Sequence, residues 1–224
     1  TGCTISSQPC RCFDTLTEAQ IKLVDDHSVI IHYKKGEIIC KQGSFSSHIM
    51  FIKKGLAKVF LDNGKNSLVL KVISTGQLLG LSAINDEHST FQYSAMAYVD
   101  SEVQLIDIAI FKKLIKVNPD FSKEIINILG ANSVLVNGRF FCLTHKQSFG
   151  RLADIILCLS NRIFKSEQFE LQLSRKDLAE LTGMSQETVI RLLKSFKDEG
   201  LIEMTGKSFR VVDFEKLKHI SETG

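Results

Sequence analysis

Gln186, Glu187 and Arg191 combine side chains that can read nucleotide bases with a spacing that lets them do so together. A carboxylate accepts from the cytosine amino group, a guanidinium pairs bidentately with guanine, and a side-chain amide reads adenine. Separations of one and five residues keep all three near one face of a helix. Were that face only solvated, a Glu187–Arg191 pair four residues apart would contribute a few tenths of a kcal/mol at most. Ser174, Arg175, Thr182, Ser185, Lys194 and Lys207 surround the trio with hydroxyls and cations suited to phosphate contact.

Other reactive groups form weaker patterns. His27, His32, His48 and His88 show neither His-x-His nor two-His-one-carboxylate spacing, which argues against a jelly-roll metalloenzyme. Nucleophile elbow, phosphate-binding glycine loop and His-Glu-x-x-His are all missing, so no enzymatic activity is expected. Cys142 and Cys158, two of the six cysteines, fall inside apolar helical patterns, where a thiol behaves as a small hydrophobe. Thr1-Gly2-Cys3-Thr4 carries neither the basic start nor the apolar stretch of a secretory signal, so the expected setting is a reducing cytoplasm. No uninterrupted apolar run reaches the roughly 18 residues of a membrane span, and no membrane partner is expected.

Around the candidate base readers the sequence spells out a helix-turn-helix. Ser174 caps a first helix with Asp177 as its capping-box partner, and Ala179 is small where two helices cross. Gly183 supplies a left-handed turn, Ser185 caps the second helix, Val189 and Leu192 turn inward, and Gly200 stops it. Leu201–Met204, the turn Thr205-Gly206-Lys207 and Phe209–Val212 read as a hairpin wing. Net charge is only +3, yet every arginine except Arg11 lies at position 139 or later, where forked cations can meet phosphate and guanine.

The preceding chain is different in kind. Val29–Ile31, Ile38–Cys40, Ile49–Ile52, Ala57–Leu61, Leu68–Ile73 and Val103–Ile106 are short, strand-like runs, and Asn63-Gly64 is a strong hairpin signal. Many short strands imply a sandwich or barrel. Asn118-Pro119-Asp120 then starts a helix expected to run to about His145. Phe121, Ile125, Ile128, Asn132 and Leu135 recur at spacings of four and three, a coiled-coil-like stripe read as a dimer seam. Asn132 is expected to fix its register, and Arg139 to mark where two such helices splay apart. The alternative is a core helix laid against the sheet. The expected organisation is α+β: a β-rich sensor domain over 12–117, a dimerisation helix over 118–146 and a winged helix-turn-helix over 147–224.

With these residues in view, the sequence resembles the Crp–Fnr family of regulators over nearly its whole length. The likeness rests on Gly36, Gly43, Gly55, Gly76 and Gly80, on Asn118-Pro119-Asp120, on Gly150-Arg151-Leu152-Ala153, on Leu173–Ala179 and on Glu187–Leu193. It implies a cyclic-nucleotide-binding-like β-roll, a homodimer on palindromic double-stranded DNA near promoters, and contact with RNA polymerase. Glu187 and Arg191 match the family's base-reading pair, and a half-site with a TGA-like core is expected. Gln186 departs from the arginine of the cyclic-AMP receptor type.

The resemblance also frames the effector, for which the expected pocket is Leu79, Leu81, Ser82, Phe91 and Tyr93. Members that bind cyclic nucleotide carry a Glu shortly after the glycine matching Gly80 and an Arg-Ser further on. Here the segments read Gly80-Leu81-Ser82-Ala83-Ile84 and Phe91-Gln92-Tyr93-Ser94-Ala95, so an effector other than cyclic AMP is expected. A second possibility is an oxygen- or nitric-oxide-sensing iron–sulfur cluster on Cys3, Cys10, Cys12 and Cys40, although Cys-x6-Cys-x-Cys is not the spacing of the fumarate–nitrate type. A third is haem or another apolar ligand. In each case the effector would alter the splay of the long helices and so the spacing of the recognition helices.

Overall fold

The computed structural model describes residues 9–64, 67–87 and 89–224. Among these residues the Cα framework forms two compact bodies, one of 9–62, 73–87 and 89–134 and the other of 63–64, 67–72 and 135–224.

The first body is a β-roll. The strands up to residue 107 are β1 (Ser28–Tyr33), β2 (Ile38–Cys40), β3 (His48–Lys54), β4 (Leu56–Asp62), β5 (Ser67–Ser74), β6 (Leu78–Leu79), β7 (Ser94–Ala97) and β8 (Ser101–Asp107), of which β5 falls mostly among the residues of the second body. Within the first body they form a four-stranded sheet in the order β1-β8-β3-β6 and a second sheet in the order β2-β7-β4. All the strand-like runs noted in the sequence are strands. β7 was not anticipated, because Ser94-Ala95-Met96-Ala97 has no β-branched residue and is strand only through pairing with β2 and β4.

Two helices cover the β1-β8-β3-β6 sheet: α1 (Glu18–Asp26), started by a Thr17–Gln20 capping box, and α2 (Ile108–Val117), capped by Asp107. Their inner faces join Ile49, Ile106, Phe111 and Leu114 in a core that also buries Cys12. Burial of such side chains contributes on the order of 1.5–3 kcal/mol each.

Helix α3 (Pro119–His145) begins as the sequence predicts. Asn118 Oδ1 accepts from the Phe121 N–H at 3.0 Å, while its amide nitrogen donates to the Thr15 carbonyl and the Gln20 side chain. The expected seam is corrected at its first two residues. Phe121 is 0% exposed and Ile125 is buried beside it, both in the core of their own body, and Ile128 packs against that core. Phe121 stands edge-on to Phe111 at 5.1 Å. Asn132 and Leu135 are half-buried on the same stripe. Arg139 does not mark an opening either: it is buried, its Nε donating to the Val69 carbonyl at 3.2 Å. The start of the stripe, Phe121 to Ile128, faces the core of its own body because those apolar residues meet Phe111 and Leu114 there. A different set, Ile126, Leu129, Val136 and Phe140, is left exposed at spacings of three, seven and four. No uninterrupted apolar run of membrane-span length occurs in α3, as expected. Its length and mean composition alone would allow a span, although Ser122-Lys123-Glu124, Asn132-Ser133 and Asn137-Gly138-Arg139 break its apolar residues.

The second body holds α4 (Ser148–Cys158), which continues as a π-helical turn to Phe164, then α5 (Arg175–Thr182), α6 (Gln186–Asp198) and α7 (Phe214–Thr223). A small sheet ordered β10-β11-β9 completes it, from Ile202–Thr205, Ser208–Val211 and Gln168–Glu170. At the foot of α3, Lys146, Asp154 on α4 and Ser221 on α7 form a buried polar cluster.

Candidate nucleic-acid interface

Both helices of the motif are held by the caps the sequence announces. Ser174 Oγ accepts from the Asp177 N–H at 3.1 Å, and the Asp177 carboxylate accepts the Ser174 N–H at 2.8 Å, closing the capping box. Gly183 ends α5 in the left-handed region at φ 63°. An added Cβ there would stand 2.9 Å from Leu143 Cδ2, so it would have to displace the tip of that side chain besides adopting the left-handed angle. Ser185 Oγ accepts the Thr188 N–H and starts α6, and Gly200 at φ 71° follows its end.

Val189, Leu192, Leu193 and Phe196 bury the inner face of α6. The opposite face exposes Gln186, Glu187, Ile190, Arg191 and Lys194. Structure thus brings the three expected base readers onto one open surface. The Glu187 carboxyl is held below the usual carboxylate range by its own backbone N–H and then by the Ser185 hydroxyl, so it is an acceptor at neutral pH.

The expected phosphate contacts divide. Lys194 and Lys207 are exposed, the latter at the β10–β11 turn. Ser174 and Ser185 are exposed but serve as caps. Arg175 is half-buried beside Met204, and burial lowers its pKa. Thr182 is corrected: it is 0% exposed, and its hydroxyl donates to the Leu178 carbonyl at 2.7 Å. A helix-terminal threonine can return its hydroxyl to the preceding turn, and here the crossing of α5 and α6 leaves it no path outward.

Residues 150–220 match the Crp-like helix-turn-helix domain family, and residues 30–118 match the cyclic nucleotide-binding domain family. The chain belongs to the Crp–Fnr family. It is a Crp–Fnr-type transcription regulator with a DNA-binding helix-turn-helix. It is 28% identical to Electron transport regulator A of Shewanella oneidensis over 231 aligned residues, covering 96% of this chain and 90% of that protein. It is 24% identical to the cAMP-activated global transcriptional regulator CRP of Salmonella typhimurium, covering 87% and 95%. Its fold matches that of FixK2 from Bradyrhizobium japonicum with a TM-score of 0.79 at 16% identity, over 88% of this chain and 98% of that one.

A Crp–Fnr roll implies a cyclic nucleotide, and the residues of this one do not fit it. Gly80, left-handed at φ 89°, turns its N–H inward, but Tyr93 Oη already accepts it at 2.8 Å. Burial raises the Tyr93 pKa, so the phenol is neutral. Leu79, Leu81 and Phe91 are buried around it, with Ser82 half-buried, and an added Cβ on Gly80 would meet the His48 carbonyl at 3.2 Å and the Phe91 ring at 3.4 Å. The expected pocket residues do come together, but among them a phosphate would meet a phenol, the Ser82 hydroxyl and hydrocarbon, and none of the five is a cation that could pair with it.

Among the described residues, the cluster candidates Cys10, Cys12 and Cys40 do not form a metal-binding group. Cys3 lies outside the described residues. Cys10 and Cys12 are joined as a disulfide, and Cys40 is a free, buried thiol on β2. Among the described residues no three His, Cys, Asp or Glu side chains converge on a point. Of the histidines, His27 and His32 are exposed, His48 is half-buried against Ser47, and His88 lies outside the described residues.

Proposed function

We propose that this regulator binds a palindromic DNA site as a homodimer and is switched by an effector that is not a cyclic nucleotide. The observation that carries the reading is the exposed row Gln186, Glu187 and Arg191 on a helix fixed at both ends. The N-terminal residues of such a helix reach base edges when it lies in the major groove. Lys194 and Lys207 supply flanking phosphate contacts. Dimerisation is assigned to the exposed face of α3, Ile126, Leu129, Val136 and Phe140. A second copy suits that face better than a bilayer does, because Asn127, Asn132, Asn137 and Arg139 lie along the helix. Contact with RNA polymerase near the promoter completes the proposal, which includes no catalytic step.

Selection from random duplex DNA, followed by titration of the winning site, tests the reading. The parent protein should yield a two-fold symmetric consensus, and Arg191→Ala should relax preference at one base pair per half-site by about 1–3 kcal/mol while keeping nonspecific affinity. Equal losses on selected and scrambled DNA would remove Arg191 from base reading.

A second reading of the switch rests on the Cys10–Cys12 disulfide, which is packed against the same core as Phe121 and Ile125. Reduction by a dithiol, which takes up the disulfide as two thiols and is itself oxidised, would loosen the segment beside the root of α3. Site affinity that is identical in oxidised and reduced protein would dismiss this version.

A further inference from the structure

Ile190 is 49% exposed, a large apolar side chain on the polar face of α6. Its chain neighbour Val189 and the following Leu192 and Leu193 are all buried, so Ile190 is excluded from the core by helix geometry. At about 100° per residue it lies roughly 60° to one side of Glu187, with Arg191 roughly 40° to the other. Gln186, Ile190 and Lys194 form one row along the helix, and Glu187 and Arg191 form the next. As the fifth residue of α6 it is at the same depth as Arg191, within the part of the helix that reaches base edges.

We infer that Ile190 is a specificity-determining residue that packs on the 5-methyl group of a thymine, an inference resting on the reading of α6 as the base-reading helix. An isoleucine cannot hydrogen-bond, and the thymine methyl is the apolar group that base edges present in the major groove. Against any other base, Ile190 would cover a donor or acceptor without replacing its water, a loss rather than a gain. The thymine lies next to the base pair that Glu187 contacts, on the side away from Arg191.

The test uses the full chain and a duplex selected by it. Each thymine in turn is replaced by deoxyuridine, which removes the methyl and keeps every hydrogen bond. One position per half-site should weaken binding about fourfold, and changing both half-sites should weaken it by roughly tenfold or more. Ile190→Ala should bind thymine and uracil duplexes equally, while Ile190→Val should retain most of the discrimination. Circular dichroism and unchanged nonspecific affinity verify that the variants fold, as expected for an exposed position. Indifference to uracil at every thymine, or the same loss in Ile190→Ala, overturns the inference while leaving the DNA reading intact. Failure to select any consensus overturns both.

Discussion

Lys146 Nζ lies 3.4 Å from Asp154 Oδ1, and each side chain is 11% exposed. Ser221 Oγ donates to the same carboxylate oxygen at 3.1 Å and accepts from Lys146, while the Cys142 thiol points at the other oxygen. One carboxylate therefore ties the end of α3 to α4 and α7.

Removing half of a buried ion pair strands the other charge. Asp154→Ala should lower stability by about 3–5 kcal/mol, whereas an apolar replacement of both partners, Lys146→Met with Asp154→Leu, should be far milder. Urea unfolding of the three proteins decides it. An Asp154→Ala midpoint equal to the parent's would mean that the pair is solvated.

Gly183 and Gly206 separate conformational from steric demand. Both are left-handed, at φ 63° and 61°, but only Gly183 has a neighbour, Leu143, within 4 Å of an added Cβ. Gly206→Ala should cost about 1–2 kcal/mol. Gly183→Ala should cost more than Gly206→Ala, because the tip of Leu143 must also move aside. Thermal melts measure both, and equal effects would show that Leu143 yields freely.

Burial pushes the Cys40 thiol up to about 12. Its proton is held more tightly in the folded chain than in the unfolded one, where a cysteine titrates near 8.5. The contribution to stability is complete below that value and is lost progressively as pH rises towards 12. Cys40→Ala should flatten the alkaline decline in stability. At neutral pH Cys40 should resist alkylation until the protein is unfolded; rapid labelling of the native state would contradict its burial.

Lys194 and Thr182, grouped together by sequence, should behave oppositely. Lys194→Ala should weaken binding to all DNA sequences and reduce the salt dependence by about one unit of slope per subunit. Thr182→Val should leave that slope unchanged and act on stability, by about 0.5–1.5 kcal/mol for the lost hydrogen bond. A salt titration of affinity distinguishes the two.

Local patterns decided the DNA-binding part of the molecule on their own. Ser174 with Asp177, Gly183, Ser185 and Gly200 encode their caps and turns within three or four residues of chain, and the backbone follows them. The exposure of Gln186, Glu187 and Arg191 follows from helical period alone. Period could not say which side of α3 meets what. The stripe from Phe121 to Leu135 and the stripe from Ile126 to Phe140 are both apolar, and only the packing of Phe111, Leu114 and Cys12 against the first determines that the second remains exposed. The same holds for Tyr93, whose hydroxyl finds the Gly80 amide across thirteen residues, and for Lys146, Asp154 and Ser221, which share no local spacing. Propensity and capping are short-range and are written in consecutive residues; burial and buried polar pairing depend on which distant surfaces meet, and that is decided by the tertiary fold.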